Sequence, residues 1–401
     1  MKKIMQINIT CGRGSTGKLA QALYEASLRE GYEARFAYSA YTPTLQEAFP
    51  IETITQNYLR RGMNRFLGRK QHHSTPGTKR LIGYIRREKP DLIHLHNVQQ
   101  NSVNYHLLFP FLQQAGIPVV FTLHDCWAFT GGCFHFAGRN CAGYTNGCEQ
   151  CPLAEHPDDV TRSASSAYAC KSGYIGNNDR VHPVCVSRWL CDCARSSYMG
   201  KMAHIPEMIY NGINTEVFSP RESDVRQRLG IPEDRFLILS VASFWNDDKG
   251  LTLLCQLSRM LPDEMMIVLV GQGLERVTEE KIRCLSGTEN QIQLVQLYSA
   301  ADVFINGSRE ETFGLTTAEA LACGTPAIVF DATACPEIVD EQTGYVVDYD
   351  VGSVFQAIQD IKNKGKFAFH DQCIKRAKTL FDEKRMVREY MELYRRILHD
   401  E

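Results

Sequence analysis

Short apolar runs rich in β-branched residues alternate with helical stretches along the whole chain, and the alternation occurs twice. The first half carries "IMQINI", "EARFAYS", "DLIHLHN", "PVVFTLHD" and "HPVCVS". The second carries "EMIYNG", "FLILSVASF", "MIVLVGQG", "DVFING", "PAIVFD" and "GYVVDY". Several are apolar throughout, as strands covered on both faces are. Segments such as "LAQALYEASLREG" and "HLLFPFLQQAGI" between them read as helices. Strict alternation of this kind predicts an α/β chain with parallel, doubly wound sheets. At 401 residues the chain exceeds one ordinary core, so two such domains are expected. The pattern breaks in "HIPEMIYNGINTEVFSP", which predicts an N-terminal domain over 1–205 and a C-terminal domain over 206–385. An amphipathic helix over 386–401 is expected to cross back to the first domain. Doubly wound sheets bind ligands beyond the carboxyl ends of their strands, so two facing sheets predict a cleft.

Charge and hydropathy remove several function classes. A net charge of -2 without a long basic run argues against a nucleic-acid binder. No apolar stretch is long enough to span a bilayer. The start, "MKKIMQINITCGRG", reads as a first strand rather than a signal peptide, so a cytoplasmic location is expected. In that compartment the 15 cysteines are mostly reduced thiols or metal ligands.

"CGRGSTGKLA", residues 11 to 20, follows the first strand and fits two phosphate-loop patterns. Gly12, Gly14 and Gly17 spell G-x-G-x-x-G; Gly12, Gly17 and Lys18 spell most of a Walker A loop. The Walker pattern fails because Leu19 stands where a magnesium-binding hydroxyl is required. The dinucleotide pattern lacks its ribose-binding acid, since the second strand ends in Ser39, Tyr41 and Thr42. What remains is a strand, a glycine turn and a helix start. That arrangement allows close backbone approach to an anion, or only a tight turn.

The stretch "NGSREETFGLTTAEALACGTP", residues 306 to 326, carries more chemistry. "DVFING" reads as a strand and a helix follows from about Thr316, stopped by Gly324 and Pro326. Thr316 and Glu319 form a T-x-x-E capping box, which gives Glu319 a purely structural use. Glu311, eight residues earlier, has no such use, and a pair of carboxylates suits a polyol ligand. The "TFGL" turn offers N–H groups at a helix start, worth about 0.3–1 kcal/mol to an anion and about 2 if partly buried. Lys249 in "SVASFWNDDKGL" follows another strand. A lone lysine is ordinarily a solvated charge, but at a strand's carboxyl end it can face a diphosphate. Ribose, sugar and diphosphate are the three features of a nucleotide sugar.

These residues carry a resemblance. The E-x7-E arrangement in "EETFGLTTAEALACGTP", with "VGQG", "LYSAADVFINGS", "YNGINTEVF" and "DKGL", resembles the retaining glycosyltransferases of family four, which have the GT-B fold. The resemblance spans essentially the whole chain and is strongest from Met208 to Tyr349. It implies two Rossmann-like domains and transfer of a sugar from a UDP-, GDP- or ADP-sugar to a hydroxyl of a glycan or lipid-linked glycan. It implies that Glu311 contacts the donor sugar at the reacting face and that Glu319 holds the ribose. Lys249 would neutralise the diphosphate, cradled by the backbone of Gly314, Leu315 and Thr316. The turn at Gly14 would approach the donor, and His124 in "TLHDCW" would sit near the reacting sugar. His124 also reads as a ring bonded to a strand-end backbone.

One position departs from the family. Where an arginine is common, in V-G-R-L, this chain has "VASF" with Ser243. Arg188 and the Asn246 side chain are candidates to supply the missing contact. The expected chemistry stabilises the leaving diphosphate with Lys249 and the helix N-terminus, without an obligatory metal. Whether Glu311 is a covalent nucleophile or attack comes from the leaving-group side is open from sequence.

The loop over 126–152, "CWAFTGGCFHFAGRNCAGYTNGCEQCP", holds Cys133, Cys141, Cys148 and Cys151, the last two as C-x-x-C. Four soft ligands suit a structural tetrahedral zinc, which contributes about 10–16 kcal/mol of apparent folding energy in isolated fingers. Free thiols or disulfides are the alternatives; Cys126 and His135 are further ligand candidates. Two other functions compete with the transferase: a sugar-nucleotide epimerase-like enzyme, and a non-catalytic protein interacting through the zinc loop. A basic, apolar stretch, "NYLRRGMNRFLGRKQHH", with Arg60, Arg61, Arg65, Arg69 and Lys70, reads either as peripheral contact with the inner face of a membrane or as a solvated helix.

Overall fold

The computed structural model describes residues 1–40, 43–52, 74–99, 102–152, 164–288 and 290–399. The basic stretch containing Arg60, Arg61, Arg65, Arg69 and Lys70 lies outside the described residues. The chain forms two compact units, one of Met1–Ile209 with Val387–Glu401, the other of Tyr210–Met386.

The first unit holds seven strands: β1 (Lys3–Asn8), β2 (Glu33–Tyr38), β3 (Phe49–Pro50), β4 (Leu92–Leu95), β5 (Val119–Leu123), β6 (Val181–Cys185) and β7 (Glu207–Met208). They lie in the order β3-β2-β1-β4-β5-β6-β7, every pair parallel. The second unit holds β8 (Phe236–Phe244), β9 (Met265–Gln272), β10 (Ile282–Leu285), β11 (Val303–Ile305), β12 (Ala327–Phe330) and β13 (Gly344–Val347), in the order β10-β9-β8-β11-β12-β13, again all parallel. Each sheet therefore reverses its strand order once, between β1 and β4 in the first unit and between β8 and β11 in the second. That reversal opens a crevice beyond the strand ends, the usual ligand seat of a doubly wound sheet.

The strands are buried because helices cover both faces. Ile4, Leu92, Ile93, Leu95, Val119 and Val120 are fully buried in the first sheet; Ile238, Met265, Ile267, Val268 and Leu269 in the second. The last helix, Glu383–His399, contributes Tyr390, Met391 and Tyr394 to the first unit's interior, at 2%, 1% and 0% exposure.

Two features of the sequence pattern are corrected. The pattern places "EMIYNG" with the second half, yet Glu207–Met208 pairs with β6 and closes the first sheet. A two-residue strand has no periodicity of its own, so only its partner assigns it. The edge strands β3 and β10 gave no apolar signal: one is a Phe-Pro pair, and the other, "IRCL", is only half-buried.

Candidate functional site

The reversal in the second sheet is where Lys249 and Glu311 meet. Lys249 ends the 3-10 turn Asp247–Lys249 that follows β8; Glu311 lies on the loop after β11. β8 and β11 are parallel neighbours, so both loops leave the same edge. The Lys249 ammonium donates to Glu311 Oε1 at 2.7 Å, the side chains 34% and 22% exposed. Backbone contacts set the pair. Asn246 caps the turn by accepting the Lys249 N–H at 3.0 Å, and Arg309 N donates to Asp248 O at 2.9 Å. Thr333 Oγ1 accepts the Glu311 N–H at 2.9 Å. Gly250, at φ +80, lies so close to Gly307 that a Cβ would stand 2.2 Å from its carbonyl oxygen. The glycine is what allows the two loops to touch.

The helix after this loop spans Leu315–Ala322. It begins one residue before the expected start, and the Thr316–Glu319 capping box does not form. Gly314, at φ +104, is the N-cap, and no side chain caps the helix. A residue inside the helix cannot cap it. The N–H groups of Leu315 and Thr316 thus belong to the first turn, which has no partners within its own helix. Glu319 instead accepts from the buried Tyr298 hydroxyl at 2.9 Å. Burial first, then the adjacent carboxylate, pushes the Tyr298 phenol well up, so it stays a donor. Asn306, at the end of β11, donates to Thr317 Oγ1 at 3.1 Å and fastens the loop to the helix.

Sequence reasoning missed Arg309. Its guanidinium packs over the Tyr349 ring at 4.1 Å on the loop that carries Glu311. The signal was present as an arginine two residues before that acid. Of the candidates to replace the arginine absent at Ser243, Asn246 spends its side-chain oxygen on the Lys249 N–H. Arg188 belongs to the other unit, at the start of the helix Arg188–Arg195.

In the first unit the reversal lies beside Gly14 and His96. The glycines of "CGRGSTG" are unequal. A Cβ on Gly12 would strike Thr44 and Gln21, and one on Gly17 would strike Thr10; one on Gly14, at φ +65, meets nothing within 4 Å. Gly12 and Gly17 shape the turn, and Gly14 keeps an open face at the start of the helix Gly14–Arg29.

His124 follows β5 and joins a chain of side chains that no local pattern announces. His124 Nε2 lies 3.1 Å from His96 Nδ1, and His96 Nε2 lies 2.9 Å from Gln6 Oε1. Gln6 Nε2 donates to Tyr394 OH at 3.1 Å. Tyr394 OH lies 2.5 Å from His94 Nδ1, His94 Nε2 lies 2.7 Å from Thr122 Oγ1, and Thr122 Oγ1 lies 2.8 Å from Tyr390 OH. With Gln6 Oε1 as acceptor, His96 carries its proton on Nε2. Its Nδ1 then accepts from His124, so His124 is protonated on Nε2. Tyr394 spends its proton on His94 Nδ1, which places the His94 proton on Nε2, toward Thr122. Burial lowers the His124 ring to about 4, and burial followed by neighbouring rings lowers His94 and His96 well below the ordinary value. All three are neutral at pH 7.

Beyond His124, Asp125 Oδ1 accepts the Trp127 N–H at 2.8 Å, and the loop over 126–152 begins. Cys133, Cys141, Cys148 and Cys151 are free thiols that line one small cavity. Burial first, then the thiols of Cys151, Cys148 and Cys141, pushes Cys133 up to about 11. Cys126 and His135 are not among the cavity's described lining. Among the described residues no group of three or more His, Cys, Asp or Glu side chains stands at the spacing that holds a metal ion. Nor, among them, is any helix long and apolar enough to cross a membrane.

Comparison with known proteins covers nearly the whole chain. The profile of Glycosyltransferase Family 4 matches residues 16–217, and that of Glycosyl transferases group 1 matches residues 222–380. WcaC of Escherichia coli (strain K12), named as a colanic acid biosynthesis glycosyl transferase, is 22% identical over 98% of this chain and 100% of its own. Among solved structures, sucrose-phosphate synthase from Thermosynechococcus elongatus superposes with a TM-score of 0.71 at 19% identity, covering 100% of both chains. HepE of Anabaena in complex with UDP-glucose superposes with a TM-score of 0.67 at 16% identity, covering 98% of this chain and 99% of its own.

Proposed function

Because the chain belongs to glycosyltransferase family 4 and has that family's two Rossmann-like GT-B domains, we propose that it moves a sugar, with retention of configuration, from a nucleoside diphosphate sugar to a hydroxyl of a growing glycan or lipid-linked glycan. The supporting observation is the Lys249–Glu311 pair at the strand-order reversal, next to an uncapped helix start. Its likeness along the whole length of WcaC supports a place in polysaccharide biosynthesis.

The roles follow from charge and position. A diphosphate seated at the Gly314–Leu315–Thr316 turn brings negative charge to the Lys249 ammonium. Lys249 then shares its protons between Glu311 and the phosphate oxygens. As the sugar leaves, charge grows on the diphosphate, and Lys249 with the helix N–H groups stabilises it. We assign that task to these groups rather than to a divalent cation, so activity is expected to survive a chelator. Glu311, released from full engagement with Lys249, accepts hydroxyl protons of the donor sugar. Glu319, fixed by Tyr298 through one oxygen, accepts from the ribose hydroxyls. Gly14 and the neutral His124 serve the reacting sugar in the same reading. UDP, GDP and ADP are the candidate nucleotides, and the cytoplasmic side of a membrane is the proposed workplace.

The test is a panel of UDP-, GDP- and ADP-sugars, read by thermal shift and by slow release of nucleoside diphosphate. One donor class is expected to stabilise the wild type and not Lys249→Ala. Absence of stabilisation by every donor would reject the reading in favour of a non-catalytic relative. NMR of the anomeric proton of the first-formed product decides retention.

A further inference from the structure

We propose that Cys133, Cys141, Cys148 and Cys151 form a structural tetrathiolate zinc site that clamps the loop leaving His124. The four free thiols are spread along the loop, outside its 3-10 turns, yet they border a single cavity of about 10 Å³. That volume admits about one small sphere. Phe136 and Tyr144 wall it on the apolar side.

An aromatic cluster of Phe129, Phe136, Tyr144 and Trp189 packs against one side of the loop, but regular structure holds little of it. Between β5 and the helix Ala164–Lys171, its described regular structure is three 3-10 turns of three residues each. Asn140 at φ 49 and Cys148 at φ 57 adopt the left-handed conformation without being glycine. Such residues cost energy and persist where the surroundings fix them. Here the strained turn directs Cys148 back toward the other thiols. Gly131 N donates to Cys148 Sγ at 3.2 Å, and Gly143 N donates to Cys141 Sγ at 3.4 Å. Backbone N–H groups aimed at sulfur fix the orientation of both side chains, as outer contacts do for metal ligands. A Cβ on Gly143 would stand 3.4 Å from Cys141 Sγ and 3.9 Å from Cys148 Sγ, so the glycine leaves those two sulfurs room to approach.

Charge points the same way. Four thiolates around a divalent ion leave a net charge of −2, which needs a cation nearby if it is buried. Lys171 is 1% exposed, donates to Trp127 O at 2.5 Å and lies 4.3 Å from the Trp127 ring centroid. Its ammonium is within electrostatic reach of Cys133 and Cys148, and of Asp125. One buried lysine thus serves both the thiol cluster and the carboxylate beside His124.

The described side chains do not stand at metal-holding spacing, so ligation requires the thiols to turn toward one another. On ligation each thiol yields its proton to solvent and rotates inward. Soft, tetrahedral, all-sulfur ligation selects a d10 divalent ion. With four protein ligands no position is left for substrate, so the ion has a structural role.

The test uses the full chain, purified without chelator or metal-affinity resin. Mass spectrometry is expected to find one zinc per chain, released when a mercurial titrates the thiols. Cobalt exchange is expected to give the intense visible bands of a tetrahedral tetrathiolate. Cys148→Ser and Cys151→Ser are expected to lose at least about tenfold in zinc affinity, while Cys170→Ser and Cys255→Ser keep wild-type zinc. If the loop variants are insoluble, the metal count and cobalt spectrum of the wild type still decide. Native protein with negligible zinc and four thiols open to Ellman's reagent would overturn the proposal, as would disulfides among these four or iron in place of zinc. None of these readouts depends on sugar transfer.

Discussion

Lys249 and Glu311 satisfy each other, which decides what a substitution there does. A half-exposed ion pair of this kind contributes at most about 1 kcal/mol to folding. In the proposed reaction its weight is larger, because losing one preorganised charge against a leaving group costs about 10²–10³ in rate. Lys249→Ala is therefore expected to lower kcat/KM by about that factor while the thermal midpoint stays near wild type. Steady-state kinetics beside a melting curve checks both halves. A large drop in midpoint with normal kinetics would make the lysine structural. The sequence showed these two residues as separate features 62 positions apart. Their types and their places after strands were readable from the chain, but the bond between them was not, because it depends on which strands are neighbours. Glu319 shows the converse. Its local spacing predicted a cap, while its actual partner is Tyr298 on a different helix.

At the scale of elements, glycine turns and the buried histidine chain carry separate predictions. Gly14→Ala meets open space but must hold φ +65, so it is expected to cost only about 1–2 kcal/mol; a chemical denaturation curve reads the loss. Gly250→Ala drives a Cβ into the Gly307 carbonyl as well. It is expected to cost more than Gly14→Ala and to weaken donor binding by displacing Lys249. Equal losses for the two variants would contradict the close approach of these loops.

The histidines make the first unit acid-sensitive. The folded pKa of His124 is depressed from 6.5 to about 4, so the unfolded chain binds a proton that the folded chain refuses. Its contribution, roughly 3 kcal/mol, is fully present above 6.5 and is lost as pH falls toward 4. His94 and His96 act in the same direction. Asp125, raised by burial to about 6, acts in the opposite direction, its contribution being lost as pH rises through 6. These three rings, with His182 of β6 also lowered by burial to about 4, against one carboxyl predict a net loss of stability from pH 7 to pH 5, read by urea unfolding in each buffer. A flat profile would mean that the rings are hydrated. Helices and strands were legible from period and punctuation. This polar chain was not, since its members come from β1, β4, β5 and the last helix.

For the whole molecule, the last helix is the telling element. It begins in the second unit, and from Val387 onward belongs to the first, where Tyr390 bonds Thr122 and Tyr394 bonds His94. Removing residues 387–401 is expected to destabilise the first unit by several kcal/mol, since it uncovers apolar surface and strands buried hydrogen-bond partners. Limited proteolysis should then cut within Met1–Ile209 while Tyr210–Met386 resists; uniform resistance would count against this. Tyr394→Phe is the milder version, expected to cost about 1–3 kcal/mol.

The sequence by itself determined the class of fold, the doubling of the sheet, the glycine turns and the residue types on the strand-end loops. These follow from local patterning, where neighbours in the chain are neighbours in space. The tertiary structure decided which charges pair, which tautomer His124 adopts, what Glu319 binds and where four thiols gather. Each of those depends on residues far apart in the chain, brought together only when parallel strands stack in an order different from the one in which they are encoded.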